Sequence, residues 1–147
     1  VKIILIDPPY SPEQIGGSRQ GFRDVLNKIP SLGLAYLAAV AEEKGHAVKI
    51  IDATLGIGER ELIEIVSAFD PRIIGITATT PTFKNAALIA AMLRNVAPNA
   101  IYVAGGPHPT ASPVEALKDS SFNFLVLGEG EVTFPIRDHA FIIDQDT

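Results

Sequence analysis

Short apolar runs that stop abruptly at a polar residue or glycine recur along this chain and constrain its fold more than any other feature. Residues 3–6, 73–76, 101–104 and 124–127 form four such runs, each too short for a helix. Continuous apolar runs are typical of strands that are buried on both faces of a parallel sheet. Parallel strands end at one edge, and open α/β sheets bind ligands at that edge.

Segments with helical periodicity separate the apolar runs. Residues 30–44, 59–69 and 82–96 repeat apolar side chains every three or four positions, residues 112–115 begin a shorter helix, and residues 47–52 alternate like an edge strand. This alternation predicts a flavodoxin-like α/β fold. We expect a doubly wound parallel five-stranded sheet of order 2-1-3-4-5, with helices on both faces and the chain reversal between strands 1 and 3.

The predicted elements fit one domain, residues 1–134, without an internal repeat. Residues 8–29 are irregular, and so long a loop in a compact domain is usually functional or disordered. Residues 135–147 carry no clear helix cap or stop signal. We interpret them as a tail or the start of a linker, with a terminal strand as the alternative.

Composition excludes several classes of function. The net charge of −5 and the absence of a basic run argue against a nucleic-acid partner. Without cysteine the chain has no disulfide, thiolate metal site, iron–sulfur ligand or cysteine nucleophile. No apolar run approaches the roughly 18 residues of a membrane span. We therefore predict a cytoplasmic domain.

The residues after the first strand exclude common phosphate-binding sites. A dinucleotide-binding turn needs G-x-G-x-x-G there, whereas this chain has Asp7, Pro8, Pro9 and Tyr10. A P-loop is also absent. A phosphoacceptor receiver domain would need an acidic cluster after that strand, and Asp7 is alone. A nucleotide or phosphoacceptor site is therefore not predicted.

Hydroxyl side chains are concentrated where the third strand ends. Thr77, Thr79, Thr80 and Thr82 lie within six residues. Threonine is common at strand ends and helix caps, so part of the cluster has a purely structural explanation. The remaining hydroxyls could bind a ligand rich in amides or a phosphodiester.

The fourth and fifth strands end in further candidate residues. Gly105 and Gly106 lack a Cβ, so a flat ligand can approach the backbone closely. His108 is either a hydrogen-bond partner for a ligand or a surface or capping residue, and it has no neighbour in sequence with which to bind a metal. Glu129 either stabilises a helix N-terminus or accepts hydrogen bonds from ligand amides.

Five motifs together resemble a known family. They are Pro-Ser-Leu-Gly-Leu-Ala-Tyr-Leu-Ala-Ala, Ile-Asp-Ala, Gly-Ile-Thr, Gly-Gly-Pro-His-Pro-Thr and Gly-Glu-Gly-Glu-Val-Thr-Phe, at residues 30–39, 51–53, 75–77, 105–110 and 128–134. Their order and spacing resemble the N-terminal cobalamin-binding domain of class B radical S-adenosylmethionine enzymes. The anaerobic magnesium-protoporphyrin IX monomethyl ester oxidative cyclases are the nearest group.

The resemblance implies cobalamin as the cofactor, with the corrin ring over the carboxyl edge of the sheet and the nucleotide tail between sheet and helices. The residues that it places around the tail are Thr77, Thr79, Thr80, Thr82, Gly105 and Gly106. Those that it places nearer the corrin are Pro9, Tyr10, His108 and Glu129. The implied cofactor-binding set is completed by Asp7, Gly128 and Gly130.

Two departures from related families refine this expectation. Methionine-synthase-like domains carry D-x-H-x-x-G after the first strand, and its histidine ligates cobalt. Here Asp7 is followed by Pro8 and Pro9, so the resemblance implies base-off cobalamin without a protein histidine ligand. Radical enzymes hold their 4Fe-4S cluster with three cysteines, so the cluster and S-adenosylmethionine are expected in a C-terminal catalytic domain missing from this sequence. We expect no catalysis from this chain alone.

Two other classes of function stay open at this point. The first is a docking or regulatory domain that keeps the fold without the cofactor, which the absent D-x-H-x-x-G motif would allow. The second is a small-molecule enzyme on the same fold. It would need an acid or base with a perturbed pKa in the cleft, and His108 and Glu129 are the candidates.

Overall fold

The computed structural model describes residues 1–10, 30–118 and 121–130, together with the backbone of residues 142–144. The strands in these ranges are β1 Lys2–Asp7, β2 Ala47–Asp52, β3 Ile73–Thr77, β4 Ile101–Gly105, β5 Phe124–Val126 and β6 Ile142–Asp144. The helices are α1 Leu32–Glu43, α2 Glu59–Phe69, α3 Phe83–Leu93, α4 Pro107–Ala111 and α5 Pro113–Lys118, with a 3-10 turn at Ala53–Leu55. Most of the predicted long loop lies outside the described residues.

The strands form one sheet of order β2-β1-β3-β4-β5-β6. Strands β1 to β5 are parallel, which confirms the predicted flavodoxin-like topology and its reversal between β1 and β3. β2 lies at the edge of the sheet, as its partial alternation predicted. The predicted parallel sheet thus brings the ends of β1, β3, β4 and β5 to one edge.

A sixth strand, which the prediction of five strands did not include, extends the sheet. β6 pairs antiparallel with β5, with Val126 in register with Ile142. It lies in the segment that we interpreted as a tail or linker, with a terminal strand as the alternative. At least residues 142–144 therefore belong to the sheet.

Helices cover both faces of the sheet. Successive residues of a strand point to opposite faces, so a continuous apolar strand presents apolar side chains to both. On one face, Ile3 and Leu5 of β1 pack with Leu34, Ala38 and Ala41 of α1. On the other face, the alternate strand residues pack against α2 and α3. That larger cluster contains Ile4, Ile6, Ile74, Ile76, Tyr102, Leu62, Val66, Ala86 and Ala90.

Local sequence accounts for the ends of α1 and α2. Ser31 caps α1, and its hydroxyl accepts a hydrogen bond from the Leu34 backbone N–H at 3.4 Å. Gly45 has the left-handed backbone, φ 82°, that was expected beyond the end of α1. The predicted bounds of α2 match those observed, and Asp70 ends this helix in a left-handed conformation.

Three other boundaries differ from the predicted ones. α3 runs from Phe83 to Leu93 and not from residue 82 to 96, because turns form at its end and Val96 N–H bonds to Leu93 C=O. β5 is a residue shorter than predicted. The predicted turn after Gly106 is instead the short helix α4, in which Thr110 N–H bonds to Gly106 C=O. Proline suits the first turn of this helix, where its missing N–H removes no bond.

No helix in the described part of the chain is long and apolar enough to cross a membrane.

Candidate functional site

A cavity of about 570 Å³ opens at the carboxyl edge of the sheet and reaches over the face that α1 covers. Strand register builds its floor. Leu5, Gly75 and Val103 lie side by side on β1, β3 and β4 and form an inner row. Two residues further along, the register pair Thr77 and Gly105 belongs to a row at the rim. The cavity is therefore apolar inside and polar at its opening.

Most of the residues predicted from the sequence line this cavity. They are Asp7, Tyr10, Thr77, Thr79, Thr82, Gly105, Gly106, Gly128, Glu129 and Gly130. The structure brings them together because β1, β3, β4 and β5 end at the same edge. Pro9, Thr80 and His108 are not among the lining residues.

His108 is buried on α4 and away from the cavity. Its side chain is 7% exposed, and its ring centroid lies 4.3 Å from that of Phe83. Nδ1 lies 3.3 Å from the Thr80 hydroxyl, whereas Nε2 is buried without a hydrogen-bond partner. The surface or capping role considered for this histidine is therefore wrong, because its ring packs against the α3 side of the domain.

Two threonines of the cluster, Thr79 and Thr82, form hydrogen bonds with each other. The Thr82 hydroxyl accepts a bond from the Thr79 backbone N–H at 3.0 Å, and the two hydroxyls lie 3.0 Å apart. Thr80 faces His108. Thr77 makes no side-chain hydrogen bond among the described residues, so its hydroxyl at the rim is available to a ligand.

Glycine is favoured at residue 105 and at residue 106 for different structural reasons. A Cβ on Gly105 would lie 3.7 Å from the Val126 Cβ, an ordinary contact, so its bare backbone leaves space in the cavity. A Cβ on Gly106 would lie only 2.8 Å from the Thr77 Oγ1. The φ of 100° and ψ of −170° at Gly106 are also accessible almost only to glycine. Gly106 is therefore required by the fold itself.

The cavity wall at β1 carries a carboxyl group with an altered pKa. Burial raises the pKa of Asp7 from 3.8 to about 6, and the carboxylate of Asp52 on the neighbouring strand adds to the rise. Asp52 accepts hydrogen bonds from the backbone N–H and the hydroxyl of Thr54. Of the two candidates named for acid–base chemistry, Glu129 lines the cavity and His108 does not. Asp7 is the lining residue with a raised pKa.

Sequence reasoning missed the apolar part of the site. It is lined by Leu5, Gly75, Val103 and Val126 of the sheet and by Leu34 and Leu37 of α1. These positions read as ordinary core, because apolar residues in strands and on a helix stripe are expected to pack together. The strand register was the missing information, since only register shows that Leu5, Gly75 and Val103 lie side by side in the lining.

Comparison with known proteins identifies the family. The B12-binding domain family matches residues 21–137. This chain belongs to the B12-binding domain family. The membership confirms the resemblance to cobalamin-binding domains that the five motifs indicated.

Curated relatives of this B12-binding domain include enzymes of two kinds. It is 37% identical over 140 residues to an uncharacterized methyltransferase of Pyrococcus horikoshii, which covers 91% of this chain and 28% of that protein. It is 31% identical over 137 residues to the anaerobic magnesium-protoporphyrin IX monomethyl ester cyclase of Synechocystis sp., covering 90% of this chain and 26% of the cyclase. The chain thus spans about a quarter of the length of these relatives.

Among solved structures, the domain resembles the cobalamin-dependent S-adenosylmethionine radical enzyme OxsB with aqua-cobalamin and S-adenosylmethionine bound. The TM-score is 0.65 at 21% identity, and the match covers 91% of this chain and 18% of OxsB. At this identity the likeness shows a shared fold.

Proposed function

We propose that this chain is the cobalamin-binding module of a radical S-adenosylmethionine enzyme of the oxidative cyclase or methyltransferase type. The cavity at the carboxyl edge of a B12-binding domain is the observation that carries the proposal. Its volume of about 570 Å³ lies within the range of small-molecule sites. Relatives named as a cyclase and as methyltransferases support the two reaction types.

The lining residues fit the two chemically different parts of cobalamin. Thr77 and Glu129 at the rim offer a hydroxyl and a carboxylate to the amide groups of the corrin periphery. Gly105 leaves the backbone accessible beside them. The inner row of Leu5, Gly75 and Val103 offers an apolar surface to the aromatic base of the nucleotide tail. We propose that these residues hold the cofactor, and that His108 and Thr80 support the fold behind the rim.

We further propose that cobalamin is bound base-off, without a protein histidine on cobalt. Two histidines lie in the described residues, and neither lines the cavity. His108 packs on Phe83, and His46 lies at the opposite end of the sheet, where its Nδ1 is 3.2 Å from the N-terminal amino group of Val1. His139 falls outside the described residues. The absence of nitrogen hyperfine splitting in the Co(II) electron paramagnetic resonance spectrum of the complex would support this state, and its presence would contradict it.

Bound cobalamin would supply a cobalt centre suited to redox and methyl-transfer chemistry. The chain's own contribution is to bind and orient the corrinoid and to shield one side of it from water. It contains no cysteine, so a 4Fe-4S cluster of the radical type would be held by residues outside these 147. The C-terminal radical S-adenosylmethionine domain of the longer relatives' type is the partner that we propose for the open side of the cavity.

Retention of hydroxocobalamin through gel filtration tests the binding function. We expect the wild-type chain to elute with the coloured cofactor and the variant Gly105→Leu to lose it. A leucine at residue 105 fits the backbone, because the Cβ position is uncrowded, but its side chain would occupy the cavity. Gly58→Leu is the matched control, since Gly58 has open space around it and does not line the cavity. Equal colour in both variants would contradict the proposed site.

A further inference from the structure

The segment after β5 forms one side of the cavity opening. We call residues 128–130 the rim loop, and its three residues, Gly128, Glu129 and Gly130, all line the cavity. Gly128 has a φ of 73°, a backbone conformation that favours glycine. A glycine-rich segment loses more conformational freedom on ordering than other sequences do. The rim loop therefore needs contacts from outside itself to hold one position.

One of these contacts is apolar and lies on the α1 side. A Cβ on Gly130 would lie 3.3 Å from the Leu37 Cδ1, so the backbone of Gly130 lies close to this side chain. Leu37 also lines the cavity. Apolar contacts have no preferred direction. This contact limits the approach of the rim loop to α1 but does not orient its peptide groups.

The directional contact comes from Thr110 of α4. The Thr110 hydroxyl accepts a hydrogen bond from the Gly128 backbone N–H at 3.1 Å and donates one to the Gly106 C=O at 2.9 Å. A hydroxyl can do both, because it has one donor and two acceptor lone pairs. Gly106 and Gly128 stand just beyond the ends of the neighbouring strands β4 and β5. Thr110 therefore connects two adjacent parts of the cavity rim.

Thr110 itself is exposed and is not among the residues that line the cavity. Its bond to Gly128 is exposed as well, so water could replace the hydroxyl as the partner of the Gly128 N–H. Loss of the hydroxyl should therefore cost the fold little stability. It would instead leave the rim loop free to move away from the cavity wall.

From these contacts, and resting on the proposed cobalamin function, we propose that Thr110 is a positioning residue for the cofactor site. Its hydroxyl fixes the rim loop before the cofactor binds, so that Glu129 already lies in the cavity wall. Less conformational entropy is then lost on binding, and the affinity is higher. The affinity for the corrinoid thus depends on a hydroxyl that does not line the cavity.

Equilibrium dialysis of the 147-residue chain and its variants against hydroxocobalamin tests the inference. Thr110→Val keeps the branched shape and removes both hydrogen bonds, and we expect its dissociation constant to rise about threefold to tenfold. Thr110→Ser keeps the hydroxyl and should bind nearly as tightly as the wild type. Ser67→Ala is the control, because it removes an exposed hydroxyl on α2 from a residue that does not line the cavity. Its affinity should equal that of the wild type.

Amide hydrogen exchange of Gly128 in the cofactor-free chain measures the contact separately. Exchange should be slower in the wild type and in Thr110→Ser than in Thr110→Val, because only the first two have a hydroxyl that accepts from this N–H. The temperature of global unfolding should be nearly the same in all three proteins.

Three outcomes would overturn the inference while the proposed function stands. Equal affinities of the wild type and Thr110→Val would show that the rim loop needs no fixing. Equal weakening in Thr110→Val and Thr110→Ser would show that the hydroxyl is not the cause. A Gly128 amide that exchanges in the wild type at the rate of an unprotected amide would show that the bond does not hold the loop, whether or not the variants fold. Failure of the wild type to bind hydroxocobalamin would remove the proposed function together with the inference.

Discussion

Asp7 and Asp52 are register partners at the carboxyl ends of β1 and β2, and the carboxyl group of Asp52 is near enough to raise the pKa of Asp7. The pair is not symmetric. Asp52 accepts hydrogen bonds from Thr54, whereas Asp7 is half-buried and its pKa is raised to about 6. Across the cavity, Glu129 is the other acidic residue among the described residues of the lining. Within the pair, Asp7 therefore changes its charge near pH 6.

The first prediction concerns the pH dependence of stability. The pKa of Asp7 is higher in the folded state than its ordinary value of 3.8, so the protonated form is favoured by folding. This stabilisation is complete below pH 3.8 and is lost as the pH rises to about 6. Asp7→Asn should therefore raise the free energy of unfolding above pH 6 by about 1 kcal/mol, after allowance for solvent screening at a half-buried group.

Urea unfolding of the wild type and Asp7→Asn at both ends of this pH range measures the effect. The two proteins should be nearly equally stable at the acidic end. A variant that is less stable than the wild type above pH 6 would contradict the prediction.

The second prediction separates the two causes of the raised pKa of Asp7. Asp52→Asn removes the neighbouring charge but keeps an oxygen that can accept from the Thr54 N–H. Since burial is the larger cause, the pKa of Asp7 should fall in this variant yet stay above 3.8. An NMR titration of the Asp7 side-chain carboxyl measures it. An unchanged pKa would show that the charge of Asp52 does not raise it, and a return to 3.8 would show that burial is not the larger cause.

The third prediction is that the two adjacent glycines tolerate substitution differently. Gly106→Ala should lower the free energy of unfolding by about 1–3 kcal/mol, because alanine rarely adopts that backbone conformation. Its Cβ would also crowd the Thr77 Oγ1. Gly105→Ala is the control and should change stability by less than about 0.5 kcal/mol, since its Cβ meets only ordinary contacts. Chemical denaturation of both variants measures the two free energies of unfolding. A larger loss of stability in Gly105→Ala than in Gly106→Ala would contradict the prediction.

The fourth prediction is that His108 is not needed for cofactor binding. His108→Leu removes the weak bond to Thr80 but also removes a buried nitrogen that has no partner. These effects oppose each other, so stability should change by less than about 1 kcal/mol. Hydroxocobalamin retention should equal that of the wild type. If the variant lost the cofactor while its thermal unfolding was unchanged, His108 would be needed for cofactor binding and the prediction would be wrong.

The fold was predictable because its signals are local. The run of residues 3–6 and the stripe of α1 can each be recognised from neighbouring residues alone, and the rules for parallel sheets then supply the strand order. The ends of α3 and the short helix α4 were predicted less well. Their bounds depend on weak competition between turn and helix geometry, as at Val96, where the helical pattern continues in the sequence after the helix has ended.

The candidate site was predictable at its rim and not in its interior. Thr77 and Gly105 are the last residues of their strands and Glu129 lies three residues beyond β5, so the common edge of a parallel sheet was enough to bring them together. Gly75 and Val103 come side by side in the cavity lining only through their register across β3 and β4. His108 stands three residues beyond β4, and the formation of α4 turned it from the rim into the core.

The amino-acid sequence by itself therefore determined the alternation of elements, the parallel sheet, the polar edge and the resemblance to cobalamin-binding domains. All of these follow from periodicity and from residues close together in the chain. Only the tertiary structure decided the cavity's depth, the pairing of Asp7 with Asp52 and the burial of His108. These depend on contacts between residues far apart in sequence, and such contacts are set by strand register and helix packing.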